Sequence, residues 1–477
     1  MTSAASAARL GGLTAIAGAL LAGSLGAGPT TGSTAPPGAA PARPGVAALA
    51  GLDPAAPTAS PPTVAARLGP ALNDPILGGP AAYVVDALSG QVLVDIRGHV
   101  PTMPASTLKT AVATAALATF PDTRLRTSVL HSPPPGGGPT TPGGTLWLVG
   151  GGDPTLTAAP TVNTDVYPAP ARLADLVAKV KAAGITAVAR VVGDASLFTG
   201  PDRAPGWRDN YVTDGDVSPV TALTLDAGRA APGATGPRNP TPALAATSAF
   251  ASALAGAGIQ VGSVGLGTAA PSARRIAAVD SPPVRVLVEK MLSESDNDLA
   301  ESLGRLLARH RGLPASFTGA TRAVSDTLAE IGTPTAGIVL SDVSGLSTND
   351  RIPPAALVSL LRTAAVTSDR PELRSLLTGL PVAGFSGTLA DRYDTPDTAA
   401  GAGEVRAKTG TLRNVTSIAG QVVDTDGRML LFAFLSPAEE ATSTKAALDR
   451  LTSALAGCGC RPDSSTAAAI DGGEPAR

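Results

Sequence analysis

Three short motifs contain the residue types needed for covalent catalysis, and they occur in the order Ser106-x-x-Lys109, Ser295-Asp-Asn297 and Lys408-Thr-Gly410. The chain has six lysines, and only Lys109 has a serine three residues before it. Because residues i and i+3 lie on the same face of a helix, the Ser106 hydroxyl can contact the Lys109 amine. A neutral amine can then take the hydroxyl proton and activate the serine. The motifs predict acyl transfer, with Ser106, Lys109, Ser295 and Lys408 in one cleft.

Lys109 can act as a base only if its pKa falls, since a free lysine has a pKa of about 10.4. Burial on an otherwise apolar helix lowers this pKa, and a positive charge at Lys408 lowers it further. An arginine could not serve, because a guanidinium does not lose its proton in proteins. Ser106 also lies near the predicted helix start, where backbone N–H groups can stabilise an oxyanion. The alternative for Ser106 is a helix N-cap, and the other two motifs favour catalysis.

The elements that must position these motifs follow from local patterns. Pro104 followed by an Ala-rich run predicts a buried helix that reaches Phe120. Apolar residues at helical spacing predict helices over 284–292 and 299–307, on either side of the Ser-Asp-Asn segment. β-rich runs around short turns predict hairpins over 82–97 and 415–435, and a helix over 438–456 follows.

The division of the hairpins between the two ends of the chain predicts an α+β fold. We expect residues 70–125 and 281–457 to form one catalytic domain, with an antiparallel sheet flanked by helices. Residues 126–280 contain predicted strands at 145–149 and 187–192, and predicted helices at 173–183 and 243–257. This segment is expected to form one or two inserted domains between the first and second motifs.

The terminal segments predict export. Residues 1–28 are interpreted as a signal peptide that is cleaved, with an uncleaved membrane anchor as the alternative. Residues 29–69 are rich in Pro, Ala and Gly and are predicted to be a disordered linker. Residues 458–477 form a tail, in which Cys458 and Cys460 are interpreted as a strained disulfide or as free thiols. The protein is therefore expected to be secreted or associated with the cell envelope.

Composition limits the function classes. The 477 residues exceed one ordinary core, and with 3% aromatic residues the interior must consist largely of Ala, Val and Leu. The formal net charge is −2 with no block of like charge, which argues against nucleic acid or an acidic membrane surface as partner. The three histidines belong to no local ligand cluster, so neither a metal nor another cofactor is expected.

The motifs resemble those of the class C low-molecular-mass penicillin-binding proteins, the D-Ala-D-Ala carboxypeptidases and endopeptidases of the cell wall. The resemblance covers roughly residues 75–457 and includes the long interval between Ser106 and Ser295. It implies a fold like that of the serine β-lactamases and DD-peptidases, with peptidoglycan stem peptides as substrates and β-lactam antibiotics as acylating ligands. The further motifs that carry it are Pro104-Ala-Ser-Thr, Gly150-Gly-Gly-Asp-Pro-Thr-Leu156, Gly193-Asp194, Ser344-Gly-Leu-Ser347 and Phe385-Ser-Gly-Thr-Leu389.

The resemblance implies a catalytic role for each residue of the first two motifs. Ser106 would form the acyl-enzyme, and Lys109 would act as its base. Ser295 would relay a proton, and Asn297 would hold a substrate amide.

The third motif is implied to bind the substrate carboxylate and the oxyanion. Lys408 and Thr409 would bind the terminal D-Ala carboxylate beside Gly410. The backbone N–H groups of Thr411 and of the nucleophile Ser106 would form the oxyanion hole.

Two further residues are implied to bind the side-chain end of the diamino acid in the stem peptide. In the family, an Asp of the Gly-Gly-Asp-Pro motif has this role, which here is Asp153. An Arg after the Ser-Gly-Leu-Ser motif assists it, but here Thr348 has that position and Arg351 lies three residues further on. The alternative for Asp153 is that Gly-Gly-Asp-Pro is simply a turn.

The motifs favour a DD-peptidase over two other functions, a β-lactamase and a catalytically silent scaffold. A class A β-lactamase deacylates through a glutamate and a water, and no glutamate between Asn297 and Lys408 lies in a Glu-x-x-Leu-Asn context. A catalytically silent wall-binding scaffold would not need all three motifs. Both carboxypeptidase and endopeptidase action are consistent with the motifs, because both cleave after a D-amino acid.

Overall fold

The strands of the chain are divided between two five-stranded sheets. The computed structural model describes residues 52–161, 166–438 and 442–459. The predicted signal peptide, most of the predicted linker and Cys460 lie outside these residues. The strands are β1 (Ala81–Asp86), β2 (Val92–Ile96), β3 (Arg124–Ser132), β4 (Thr145–Val149), β5 (Ala187–Asp194), β6 (Gln260–Leu266), β7 (Arg274–Pro283), β8 (Arg406–Leu412), β9 (Val415–Val423) and β10 (Met429–Ser436).

Helices cover both sheets. No helix among the described residues is both long and apolar enough to cross a membrane. The helices are α1 (Pro61–Leu72), α2 (Lys109–Thr119), α3 (Leu173–Ala182), α4 (Pro242–Gly256), α5 (Val284–Glu294), α6 (Asn297–His310), α7 (Phe317–Glu330), α8 (Pro354–Val366), α9 (Arg374–Thr378) and α10 (Thr442–Ala456).

The first sheet is built from both ends of the chain. Its strand order is β2-β1-β10-β9-β8, and all neighbours are antiparallel. The central strand β10 is buried at every position. Leu431 and Leu435 contact the helical core that contains α2, α5 and α6, whereas Phe432 and Phe434 contact α10 on the other face. This alternation follows from the two-residue period of a strand, and it confirms the predicted antiparallel sheet between helical layers.

The second sheet lies entirely within residues 124–283. Its strand order is β6-β5-β4-β3-β7, with parallel pairing of β4 with β5 and of β5 with β6. Helices α3 and α4 pack on it through a core that includes Leu176, Phe250 and Leu254. No strand of this region joins the first sheet, although all described residues belong to one compact unit. The division into a catalytic and an inserted domain stays a prediction.

The predicted linker is wrong at its C-terminal end, because residues 61–69 lie in helix α1. Ser60 caps this helix by accepting a hydrogen bond from the Thr63 amide. Val64 and Leu68 are four residues apart and fully buried against the apolar face of α10. The Pro- and Ala-rich composition concealed this short amphipathic helix, which is stabilised by its partner rather than by local sequence.

Candidate active site

Ser106 lies in a tight turn directly before helix α2. Residues Ala105–Leu108 form a 3-10 turn that continues into α2, and Ser106 is half-buried. Ala105 has a φ of 48°, a left-handed conformation that non-glycine residues seldom adopt. The carbonyl of Pro104 accepts hydrogen bonds from the hydroxyls of Thr107 (2.7 Å) and Ser417 (2.6 Å), which hold this turn in place. Backbone strain of this kind is concentrated at functional sites.

The Lys109 amine makes three hydrogen bonds, one of them to the predicted nucleophile. Its Nζ lies 2.9 Å from Ser106 Oγ, 2.5 Å from Asn297 Oδ1 and 2.7 Å from the carbonyl oxygen of Ser344. The side chain is fully buried. The structure therefore brings Ser106 and Asn297, of the first two motifs, together around an amine whose direction is fixed from three sides.

The surroundings of Lys109 shift its pKa toward neutrality. Burial lowers the pKa of Lys109 to about 8, because a charged amine is disfavoured away from water. The carboxylates of Asp342 and Glu301 act in the opposite direction and limit the fall. An amine with this pKa is neutral in an appreciable fraction of molecules near neutral pH, so it can accept the Ser106 proton.

Ser295 and Asn297 lie where α5 ends and α6 begins. Ser295 caps α5 with a φ of 59°, and Asp296 caps α6 by accepting from the Leu299 amide at 2.8 Å. This left-handed corner aims the short polar segment toward α2. The Ser295 hydroxyl is half-buried and makes no hydrogen bond within the described residues. Of the second motif, Asn297 is thus the residue joined directly to Lys109.

Lys408 lies on strand β8 and is also fully buried. Its Nζ donates to the carbonyl oxygen of Thr409 at 2.8 Å. Burial lowers its pKa well below the ordinary value, and the neighbouring Lys109 lowers it further. The Thr409 hydroxyl is 2.7 Å from that of Thr388, which belongs to the Phe385–Leu389 motif.

Gly410 brings strand β8 directly against the turn that carries the nucleophile. A Cβ atom at this position would lie 2.8 Å from the backbone nitrogen of Ser106 and 2.8 Å from the Pro104 carbonyl oxygen. Any side chain would push the strand away, so glycine is required here. Thr411 follows on the same strand and pairs with Thr416 of β9, half-buried at the edge of the sheet.

A loop of the 126–280 segment completes one wall of the site. Asn297 Nδ2 donates to the Asp216 carbonyl at 2.9 Å, and Asp298 Oδ1 accepts from the Ser218 amide at 2.9 Å. Arg238 Nε donates to the Gly215 carbonyl at 2.9 Å. Sequence reasoning missed this loop, because its contribution is made by backbone atoms that no side-chain pattern reveals.

Asp153 and Arg351 lie apart from the hydrogen bonds of Lys109. Asp153 is buried, and its Oδ1 accepts from both the amide (2.9 Å) and the hydroxyl (2.6 Å) of Thr155. Burial raises the pKa of Asp153 to about 6. Arg351 donates to the carbonyls of Thr348 and Asp350 in its own loop. This geometry favours the turn interpretation of Asp153, and the substrate-binding roles of both residues stay predictions.

The arrangement can perform proton transfer and nucleophilic attack with side chains alone. A hydroxyl lies within hydrogen-bond distance of a buried amine of lowered pKa, which is the requirement for serine activation. Among the described residues, no group of three or more His, Cys, Asp or Glu side chains is placed to hold a metal ion.

Known proteins resemble this chain over most of its length. The D-Ala-D-Ala carboxypeptidase 3 (S13) family matches residues 64–241 and 234–455. A protein named as a carboxypeptidase from Mycobacterium tuberculosis is 41% identical over 417 residues, which cover 86% of this chain and 88% of the relative. Carboxypeptidase DacB from Mycolicibacterium smegmatis is 40% identical over 433 residues, covering 89% and 90%.

A solved structure shares the fold. Penicillin binding protein 4 (dacB) from Haemophilus influenzae superposes with a TM-score of 0.67 at 23% identity, and the match covers 81% of this chain and 97% of that one. The predicted α+β class with a DD-peptidase-like arrangement of sheet and helices is confirmed by this likeness.

Proposed function

Because the chain belongs to the D-Ala-D-Ala carboxypeptidase 3 (S13) family of serine peptidases, we propose that it cleaves the peptide bond after a D-alanine of peptidoglycan stem peptides through an acyl-enzyme on Ser106. The predicted family and enzyme class are confirmed. The observation that carries the assignment of the nucleophile is the 2.9 Å contact between the Ser106 hydroxyl and the buried Lys109 amine. Penicillins, which carry a reactive amide, acylate the same oxygen in this proposal.

Acylation begins with attack by Ser106 Oγ on the substrate carbonyl carbon while Lys109 Nζ takes the hydroxyl proton. A C–O bond forms, and the carbonyl oxygen becomes an oxyanion that accepts from the backbone N–H groups of Ser106 and Thr411. Ser106 lies in the first turn of its helix, where the amide has no intrahelical acceptor. The C–N bond then breaks, and the departing amine receives a proton from Lys109 by way of the Ser295 hydroxyl.

Deacylation reverses the proton flow with water as the nucleophile. Lys109 has returned its proton and takes one from the attacking water. The ester bond to Ser106 breaks, and its Oγ regains the proton. Asn297 would hold the substrate amide through its side chain, which the Asp216 carbonyl and Lys109 already orient.

Lys408 and Thr409 are proposed to bind the terminal carboxylate of the substrate. Burial and the charge of Lys109 both disfavour the protonated form of Lys408, and Glu294 offsets them in part. An arriving carboxylate would add a counter-charge that favours the protonated form of this lysine. Asp153 and Arg351 stay candidates for binding the diamino acid, and the predicted signal peptide supports a location of this activity outside the cytoplasm.

Digestion of purified muropeptides, with mass analysis of the products, tests the proposal. The expected result is release of D-alanine from monomeric pentapeptides, cleavage of cross-linked dimers, or both, which separates carboxypeptidase from endopeptidase action. Ser106→Ala is the control and should release nothing and bind no fluorescent penicillin. Labelling or product release by Ser106→Ala would place the acyl group elsewhere, and an unlabelled wild-type protein would support the silent-scaffold alternative.

A further inference from the structure

Helix α6 presents two polar side chains toward Lys109, and the proposed mechanism uses one of them. Asn297 and Glu301 are four residues apart and therefore lie on the same face of the helix. Asn297 contacts the Lys109 amine directly. Glu301 is fully buried and is linked to the same amine through one intervening residue, Ser344.

The contacts of Glu301 converge on the turn that follows Asp342. Its Oε1 accepts hydrogen bonds from the amides of Val343 (3.1 Å) and Ser344 (2.8 Å). The carbonyl of the same residue, Ser344, accepts from Lys109 Nζ at 2.7 Å. One carboxyl oxygen thus holds the amide of the residue whose carbonyl accepts from the catalytic amine.

We propose that Glu301 is a positioning residue for the catalytic base, which holds the Ser344 carbonyl so that Lys109 keeps its direction toward Ser106. This inference rests on the proposed function and adds a residue to its machinery. The hydrogen bonds of Glu301 go to the amides of Val343 and Ser344 and not to the Lys109 amine, so it acts through Ser344.

The same turn also contacts the segment before the nucleophile. Asp342 Oδ1 accepts from the Gly345 amide at 2.8 Å, and Gly345 has a φ of 82° with its Cα facing the Ala105 carbonyl so closely that a Cβ could not fit. A shift of this turn would therefore move both the acceptor of Lys109 and the support of Ala105. Such a shift is expected to slow acylation, because catalysis needs the base within hydrogen-bond distance of the nucleophile.

The burial of Glu301 costs folding free energy that its hydrogen bonds offset only in part. A buried carboxyl is expensive unless it is fully hydrogen-bonded, and Glu301 Oε2 has no hydrogen-bond partner within the described residues. Arg305, one turn further along α6, directs its guanidinium to the carbonyls of Thr199, Pro201 and Ala315 instead. The hydrogen bonds of Glu301 go to the Val343–Ser344 turn, so holding that turn is what its carboxyl accomplishes.

An acceptor oxygen, rather than a negative charge, is what the position requires. Burial and the nearby Asp342 raise the pKa of Glu301 to about 8, and its neutral form still offers the carbonyl oxygen that both amides use. Glutamine keeps this oxygen at the same distance from the backbone. Methionine has a similar length and volume and lacks the acceptor.

The test compares Glu301→Gln with Glu301→Met. We expect Glu301→Gln to acylate with a penicillin within about threefold of wild type, and Glu301→Met to lower the limiting acylation rate constant at least tenfold. The noncovalent affinity for the penicillin should change little, because its carboxylate binds at Lys408. Should Glu301→Met not fold, Glu301→Asp withdraws the oxygen by one C–C bond and should slow acylation at least threefold.

Asp424 provides a matched control. It is also buried, and its Oδ1 accepts from two backbone amides, those of Asp426 (3.0 Å) and Arg428 (2.8 Å). Its Oδ2 has no hydrogen-bond partner in the part of the chain that the structure describes. It lies at the β9–β10 turn, away from the site. Asp424→Leu should lower the melting temperature and leave the acylation rate constant unchanged.

The outcomes distinguish the proposed function from the positioning role of Glu301. Wild-type protein that a penicillin does not label at Ser106 would overturn the proposed function. Labelled wild type together with an undiminished, folded Glu301→Met would overturn the positioning role alone. Equal damage in Glu301→Gln and Glu301→Met would also overturn it, because charge would then matter and not the acceptor.

Discussion

The two buried lysines of the site, Lys109 and Lys408, are alike in residue type and in burial but differ in what surrounds them. Lys109 has three hydrogen-bond acceptors and several carboxyl groups nearby, among them Asp342 and Glu301. Lys408 donates to one backbone carbonyl, and its largest nearby charge is Lys109. Both pKa values fall because of burial, to about 8 for Lys109 and well below the ordinary value for Lys408.

The difference shows how one residue type supports two tasks. Desolvation alone disfavours both ammonium groups, and near Lys109 the negative charge of Asp342 does most to restore its basicity. Lys109 is therefore tuned to exchange a proton near neutral pH, as a general base must. For Lys408, among the described residues, only Glu294 acts in this direction and Lys109 acts against it, so a bound carboxylate is expected to favour its charged form.

The largest effect is expected from removing the base while keeping its charge. Lys109→Arg should lower the acylation rate constant with a penicillin by about 10²–10⁴-fold, because a guanidinium offers no lone pair for the Ser106 proton. Stopped-flow acylation measures the rate, and circular dichroism verifies the fold. If Lys109→Arg acylates within about threefold of wild type, the proton is taken by another group, and Ser295 or a water becomes the better candidate.

The second lysine should tolerate arginine better. Lys408→Met removes the charge that binds the carboxylate and should lower kcat/KM about 10–100-fold, the usual value of a hydrogen bond to a charged group. Lys408→Arg keeps that charge and a fork that pairs with carboxylates, so it should lose less than Lys408→Met. Steady-state hydrolysis of a D-Ala-D-Ala peptide gives both values. An equal loss in the two variants would mean that Lys408 does not act through its charge.

The pH dependence of acylation should report the two lysines with opposite signs. Lys109 is active when neutral, so the limiting acylation rate rises with pH through about 8, roughly tenfold between pH 7 and pH 9. Lys408 binds a carboxylate when protonated, so affinity falls as pH rises above its lowered pKa. Rates at saturating and at low penicillin concentration separate the two limbs. A saturating rate that is flat from pH 6 to pH 9 would contradict the assignment of Lys109.

The smallest effect is expected from Asp153, a buried carboxyl outside the lysine pair. It shows what burial does to an ionisable group that no opposite charge compensates. The pKa of Asp153 is raised to about 6, so the folded state keeps its proton to a higher pH than the unfolded state, and stability falls as pH rises from about 4 to 6. Asp153→Asn keeps the acceptor for Thr155 and should raise the free energy of unfolding at pH 8 by about 1–3 kcal/mol.

Hydrolysis of stem peptides is the second measurement for Asp153→Asn. As a turn residue, it should leave kcat/KM unchanged. A loss confined to peptides with a diamino acid side chain would instead establish the substrate-binding role that the family resemblance implies.

Local patterns in the sequence determined the elements and the reactive pair. The three-residue spacing of Ser106 and Lys109 needs one helix to bring them together, and the structure has them 2.9 Å apart. Two-residue and helical periodicity likewise determined the strands β9 and β10 and the helices α5 and α6, because these patterns reflect burial of one face of each element.

Tertiary structure alone decided which distant groups surround that pair. The third acceptor of Lys109 is the Ser344 carbonyl, 235 residues away, and the partner of Asn297 is the Asp216 carbonyl. Every residue has the same backbone atoms, so no sequence motif can predict these acceptors. Helix α1 was not predicted for a related reason. It is stabilised by burial of Val64 and Leu68 against α10, which lies at the other end of the chain.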